Sequence, residues 1–290
     1  MIYVLVYIYI NATRKILYNK MLQMYDPTRE YKYHKKEIDE SIQNVLNHGL
    51  FINGPEVKEL ESKLSEYVGV KHCIGVSNGT DALKISLLSL GVSNNDEVIT
   101  VSYSWISTAS VISIIDAKPV FVDIEDITYN MDSSLLEDKI TEKTKAIIVV
   151  SLYGQVADID SINKIANKYD IPVIEDGAQS FGATYNGKKS CSLTTIGTTS
   201  FFPSKPLGCY GDGGACFTND DELAMKIRSI QSHGSVKRFH HKYIGLNGRL
   251  DTIQAAILLT KIKYFDNTLE NRNNCANYYS EHLKFLKKNG

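Results

Sequence analysis

The stretch Ser200-Phe201-Phe202-Pro203-Ser204-Lys205-Pro206-Leu207-Gly208-Cys209-Tyr210-Gly211-Asp212-Gly213-Gly214 sets one lysine between two prolines, behind a short apolar run and ahead of a glycine-rich turn. Proline fixes φ and interrupts regular structure, so the pattern predicts a side chain held at the end of a strand in a constrained loop. A lysine ε-amine that is desolvated, or set near another cation, gives up its proton more readily and attacks carbonyls as the free amine. Lys205 is therefore either a Schiff-base lysine for an aldehyde cofactor or one more solvated lysine on a Pro/Gly turn. The rest of the chain has to decide between the two.

Upstream lie three pieces that pyridoxal phosphate, the commonest such aldehyde, would need. Cys73-Ile74-Gly75-Val76 reads as a strand, and the residues after Ser77-Asn78-Gly79-Thr80 carry Leu83, Leu87 and Leu88 at helical spacing. A helix start capped by Ser77 or Asn78 leaves N–H groups around Gly79 and Thr80 pointing at an anion; alternatively, it is an ordinary strand-to-helix turn. Ile171-Pro172-Val173-Ile174-Glu175-Asp176 reads as a buried parallel strand ending in acid. An ionised carboxylate beside a pyridine nitrogen keeps that nitrogen protonated and makes the ring an electron sink. Strand alternation sends Glu175 and Asp176 to opposite faces, and Asp176 is preferred because Gln179 then reaches the ring hydroxyl from the same side. The other reading is an acid that merely caps the next turn. Trp105, the only tryptophan, follows the strand Val98-Ile99-Thr100-Val101 and is either a stacking platform for the ring or a core residue.

Taken together, these motifs resemble the DegT/DnrJ/EryC1/StrS sugar aminotransferases, fold-type I pyridoxal phosphate enzymes acting on nucleotide-linked keto sugars. The resemblance runs from Met24 to Lys287, with the motifs in the family's order. It implies that Ser200, five residues before Lys205, binds the phosphate, and that Gly211-Asp212-Gly213-Gly214 is the family's glycine turn. Gly245-Leu246-Asn247-Gly248-Arg249 is similar to a G-x-N-x-R segment whose asparagine reaches the phosphate of the neighbouring subunit, which implies a homodimer with shared sites. The polar loop from Ser232 to Tyr243 would cross to that subunit. Glutamate is the implied amino donor, and Lys205, rather than the histidine of related dehydratases, favours amino transfer. Ser151-Leu152-Tyr153-Gly154-Gln155 has serine where many members have histidine. The motifs look most like the branch acting on 3-keto sugars, including UDP-linked 2-acetamido-3-keto uronates, with Arg249 either pairing with the sugar carboxylate or making a structural ion pair. A C4 aminotransferase, a non-catalytic binding relative and an inactive fragment are the alternatives.

Composition agrees with a large enzyme domain. The chain has 290 residues, 43% of them hydrophobic, and a net charge of −1, which gives no footprint for nucleic acid. Five cysteines without metal-type spacing suggest free thiols in a reducing compartment, the cytoplasm. The apolar run Met1 to Ile10 is too short to span a bilayer, and Arg14, Lys15 and Lys20 follow it instead of preceding it as in a secretory signal. Residues 1–23 are expected to be an extension, 24–262 the cofactor-binding domain, and 263–290 the start of a smaller domain of which the resemblance implies roughly 80 to 100 further residues.

Apolar spacing predicts amphipathic helices over Lys35–Leu46, closed by Gly49, and from Pro55, with Val57, Leu60, Leu64 and Val68 inside. Strands at 73–76, 97–101, 119–123, 146–150 and 171–175 then alternate with helices near 80–90, 104–114, 133–139 and 159–168. That rhythm predicts an α/β fold, a mainly parallel sheet between helices, with ligands at the carboxyl ends of its strands. Further helices are expected at Glu222–Ile230, Thr252–Leu269 and Asn271–Lys288.

Overall fold

The computed structural model describes residues 25–288, so the apolar N-terminal run and the expected extension lie outside the described residues. The chain divides into two compact units between Lys35 and Lys36. Of the first unit, residues 25–35 are described and contain the opening turns of helix α1 (Pro27–His48). Everything below concerns the second.

Seven strands make one sheet: β1 (His72–Val76), β2 (Glu97–Val101), β3 (Lys118–Val122), β4 (Thr144–Val150), β5 (Val173–Asp176), β6 (Ile196–Ser200) and β7 (Gly214–Thr218), in the order β1-β7-β6-β5-β4-β2-β3. Strands β6, β5, β4, β2 and β3 pair in parallel. Strand β7 is antiparallel to both β6 and β1, so β1 points the same way as the parallel set. The carboxyl ends of β1, β2, β4, β5 and β6 therefore open on one edge, where residues 77–80, 102–105, 151–155, 177–179 and 201–205 gather.

Helices cover both faces, as continuous apolar strands require. They are α2 (Pro55–Val68), α3 (Gly79–Ser89), α4 (Ser107–Ile114), α5 (Ile159–Lys168), α6 (Asp221–Ile230), α7 (Thr252–Ile262) and α8 (Phe265–His282). Alternation along β4 shows the division: Ala146 and Ile148 join a core with Ile85, Val111 and Ile227, whereas Ile147 and Val149 join one with Ile159 and Ile162. A further cluster sets Leu60, Leu64 and Leu258 against Phe181, Phe201 and Phe217. Helix α2 buries the four residues its spacing predicts, and Gly69 ends it in the left-handed conformation (φ 81°).

Three expectations needed adjustment. Residues 133–139 form two short 3-10 turns, Ser133–Leu135 and Glu137–Lys139, because only Leu136 is fully buried there and one anchor does not make a helical stripe. The helix expected over 252–269 breaks at Tyr264 (φ −110°, ψ 4°). The break lets Phe265 sink against Tyr67 and Phe181, with ring centroids 5.6 Å from each. Strand β6, Ile196-Gly197-Thr198-Thr199-Ser200, is too polar to read as a core strand, yet its threonine hydroxyls are buried and satisfied. Thr198 Oγ1 donates to the Glu175 carbonyl at 2.8 Å, and Thr199 Oγ1 to that of Gly177 at 3.2 Å.

Candidate active site

A cavity of about 600 Å³ lies along the shared strand edge and is lined by Asn78, Gly79, Thr80, Trp105, Asp176, Gln179, Ser200 and Lys205. At one end β1 turns into α3. Asn78 caps the helix, its side chain accepting from the Asp81 N–H at 2.8 Å, while Asp81 also receives bonds from the Ser77 hydroxyl and the Asn78 amide. Helix geometry gives the N–H groups of Gly79 and Thr80 no carbonyl four residues back, so they face the cavity as donors. Ser200, the last residue of β6, presses on this terminus: a Cβ at Gly79 would lie 2.7 Å from Ser200 Cβ. Only glycine fits this contact, which sets the Ser200 hydroxyl beside the helix N-terminus. Gly79→Ala is accordingly expected to weaken binding of a phosphate-bearing ligand by about tenfold or more through a shifted Ser200, with a lowered melting temperature from the same overlap. Titration of the purified variant with the cofactor would check it.

At the other end β5 delivers Asp176, which is 8% exposed. Its carboxylate accepts from Thr108 Oγ1 at 3.0 Å and from the Ala178 N–H at 3.2 Å. Burial pushes the Asp176 carboxyl above the usual range, against the pull of these donors and of the Lys205 charge. Burial pushes the Lys205 amine down, against the pull of Asp176. Two neutral donors and the charge of Lys205 do not offset the burial of this carboxylate. A protonated ring nitrogen placed in the cavity would add to them.

Lys205 stands in a loop that closes on itself. Phe201 N–H bonds Gly213 O at 2.7 Å, Cys209 N–H bonds Phe201 O at 2.8 Å, and Lys205 N–H bonds Phe202 O at 2.8 Å. The loop leaves the Lys205 amine half-buried in the same cavity as Asp176, a placement that favours the cofactor reading over the solvated one. Trp105 is 72% exposed at the cavity wall, so the core reading fails. Glu175 points the other way, fully buried, and accepts from Ser151 Oγ (2.9 Å), Ser190 Oγ (2.7 Å) and the Cys191 N–H (2.7 Å). Ser151, which departs from the family's histidine, is thus spent on that carboxylate.

Asn247 and Arg249 are not brought to this cavity. Asn247 is exposed and bridges Ser232. Arg249 lines a second cavity of about 620 Å³ with Glu61, Arg228 and Gln231, and its buried Nε has no hydrogen-bond partner. The sequence reading missed Thr108, which orients Asp176, and Ser107, whose hydroxyl lies 2.9 Å from that of Thr80. It also missed Tyr153, whose N–H bonds Gln179 Oε1 at 2.8 Å. The one available signal was the hydroxyls of Ser104, Ser107 and Thr108 on either side of Trp105-Ile106 at a helix start. A backbone donor such as that of Tyr153 leaves no mark on residue type.

The sequence matches the DegT/DnrJ/EryC1/StrS aminotransferase family over residues 32–290. It is 56% identical over 264 residues to the UDP-2-acetamido-2-deoxy-3-oxo-D-glucuronate aminotransferase of Pseudomonas aeruginosa, covering 91% of this chain and 74% of that relative. The fold superposes on a DegT DnrJ EryC1 StrS aminotransferase from Brucella abortus with a TM-score of 0.87 at 39% identity, over 91% of this chain and 73% of that one. The S. venezuelae protein DesV, solved in complex with a ketimine intermediate, gives a TM-score of 0.87 at 36% identity, over 89% of this chain and 70% of that one.

Proposed function

Because the chain belongs to the DegT/DnrJ/EryC1/StrS aminotransferase family, we propose that it moves an amino group from glutamate to C3 of a nucleotide-linked keto sugar, with pyridoxal phosphate held in the cavity that Lys205 enters. The observation that carries this reading is the placement of a half-buried amine, a buried carboxylate and a helix N-terminus around one cavity. Bound there, pyridoxal phosphate supplies the aldehyde that takes up the amino group and the ring that holds the electrons of a broken C–H bond. The Gly79 and Thr80 N–H groups, Asn78 and the Ser200 hydroxyl would hold its phosphate. Asp176 would keep the ring nitrogen protonated, and Gln179 would reach the ring hydroxyl. Trp105 would stack on the ring face. Lys205 Nζ would anchor the aldehyde and, once free, would carry the proton from the donor's α-carbon.

The 56% identity to an enzyme named for a 3-oxo sugar acid supports C3 and a uronate. Arg249 then suits the sugar carboxylate, since its Nε is buried without a partner. Asn247 and Arg249 lie outside their own chain's cavity, which supports a homodimer in which each serves the partner's site. Equilibrium sedimentation that finds only monomer would count against this. A domain boundary near residue 262 rests on the family reading alone, since Phe265 beyond it packs into the main core, and the five unpaired cysteines support a cytoplasmic setting. Among the described residues, no helix is long and apolar enough to cross a membrane.

The decisive experiment loads the purified protein with pyridoxal phosphate and adds glutamate, following the visible band of the bound cofactor. The aminated protein is then offered UDP- and dTDP-linked 3-keto and 4-keto sugars. Discharge by the UDP-linked 3-keto uronate is the expected result. A band that glutamate leaves unchanged, or preferential discharge by a 4-keto sugar, would refute the reading.

A further inference from the structure

Helix α7 presents two polar side chains to the back of the Lys205 loop. Gln254 Oε1 accepts from the Tyr210 N–H at 2.9 Å, and its Nε2 reaches the Tyr210 carbonyl at 3.5 Å, so one amide grips both polar groups of one loop residue. Seven residues on, two helical turns along the same face, Lys261 Nζ donates to the Gly208 carbonyl and lies 5.3 Å from the centre of the Tyr210 ring. The loop accommodates this grip closely, since a Cβ at Gly211 would lie 2.9 Å from Gln254 Nε2. The helix is itself anchored at its start: the Thr252 N–H bonds Phe51 O at 3.0 Å, and Thr252 Oγ1 accepts from the Gly54 N–H at 3.0 Å.

Lys261 is 5% exposed, and a buried ammonium is expensive. An apolar side chain of similar length would fill the space at lower cost in stability, so filling space does not account for a charge there. What the ammonium and the amide provide is direction, because each fixes the orientation of a particular loop carbonyl or N–H. We propose that Gln254 and Lys261 are positioning residues for Lys205, clamping residues 208–210 so that the amine enters the cavity from one fixed side. The inference rests on the family reading of Lys205 but concerns the chain's own residues. The ionisable groups sharing the cavity with Lys205 are Asp81, Asp176 from β5 and Asp212 from the loop itself.

Competitive labelling of the cofactor-free full chain with trace acetic anhydride, read lysine by lysine across pH by mass spectrometry, reports how the Lys205 amine titrates. Wild-type Lys205 should titrate below an ordinary lysine. In Lys261→Met and in Gln254→Leu the loosened amine meets more water, so its midpoint should rise and its labelling at neutral pH fall by about threefold, the effect of a half-unit rise. Lys84 and Lys226 should keep their profiles. In the loaded enzyme the same variants should slow the limiting rate of the glutamate half-reaction by about tenfold without changing the half-saturating glutamate concentration. Lys261→Arg, which keeps a donor, should recover part of the rate. A lowered melting temperature with an unchanged Lys205 profile in whichever variants fold would reduce the clamp to a structural contact and overturn the proposal. So would a change shared by all lysines. A wild-type chain that takes up no pyridoxal phosphate would sink the proposed function, while the labelling would still decide the clamp.

Discussion

Lys205→Ala is expected to lower turnover with glutamate and keto sugar by at least about 10³-fold while leaving the melting temperature of the cofactor-free protein nearly unchanged. Both halves of that result follow from where the residue sits. The loop that carries it is closed by backbone bonds, Phe201 to Gly213, Cys209 to Phe201 and Lys205 to Phe202, none of which uses the side chain. Removing the amine therefore removes chemistry without removing structure. On the proposed function the chemistry removed is twofold, since one nitrogen would be both the covalent anchor for the aldehyde and the base that moves the α-proton. Burial holds the Lys205 amine below the ordinary lysine range, so the free amine becomes available at lower pH than on a surface lysine. The rate at which the cofactor-free chain takes up pyridoxal phosphate on Lys205 should accordingly rise with pH below the usual lysine range, and this uptake should vanish in the alanine variant. Lys205→Arg keeps a positive charge but titrates far above any working pH, and should be as inactive as alanine. Stopped-flow absorbance on loaded variants, beside melting curves of the cofactor-free proteins, would check both halves. Turnover within about tenfold of wild type in Lys205→Ala would remove this residue from the reaction.

The sheet and most of the site could be read before the structure because both are written in residue type. Apolar runs of strand length alternating with helical spacing mark β1 to β5. Each motif residue that lines the cavity falls at the carboxyl end of a strand or just beyond it, where parallel topology has to gather it. What escaped is written in geometry. Strand β6 is polar because its threonines bond the carbonyls of Glu175 and Gly177 in the adjoining strand and turn. Residues 133–139 lost their helix for want of a second buried anchor beside Leu136. Thr108 and Tyr153 gain their places from a hydroxyl and a backbone N–H that meet Asp176 and Gln179 only in three dimensions. Glu175 and Asp176 are adjacent and chemically alike. Strand alternation alone separates them, sending one into a cage of serine hydroxyls and the other into the cavity.

That separation makes Asp176→Asn the sharper test of function against structure. The asparagine amide can still meet Thr108 and the Ala178 N–H, so the turn after β5 should survive. It carries no charge to keep a ring nitrogen protonated, and turnover is expected to fall by about 10²- to 10³-fold, the range for loss of one aligned electrostatic partner. Stability should move in the opposite direction. Burial raises the Asp176 carboxyl in the folded protein, so stability is lost progressively as pH rises from the ordinary aspartate value to the raised one and the loss is complete above it; an uncharged side chain carries no such penalty. The cofactor-free Asn variant should therefore melt above wild type at neutral pH, and the difference should close on acidification below about pH 4, the ordinary aspartate value, where the carboxyl becomes protonated in the folded and unfolded states alike. A residue kept for the fold would lose stability and activity together. Melting curves across pH on the two cofactor-free proteins, set beside half-reaction rates on the loaded ones, separate the cases. A variant that melts lower at neutral pH, or that turns over at the wild-type rate, would show that Asp176 is not held in that cavity for the ring.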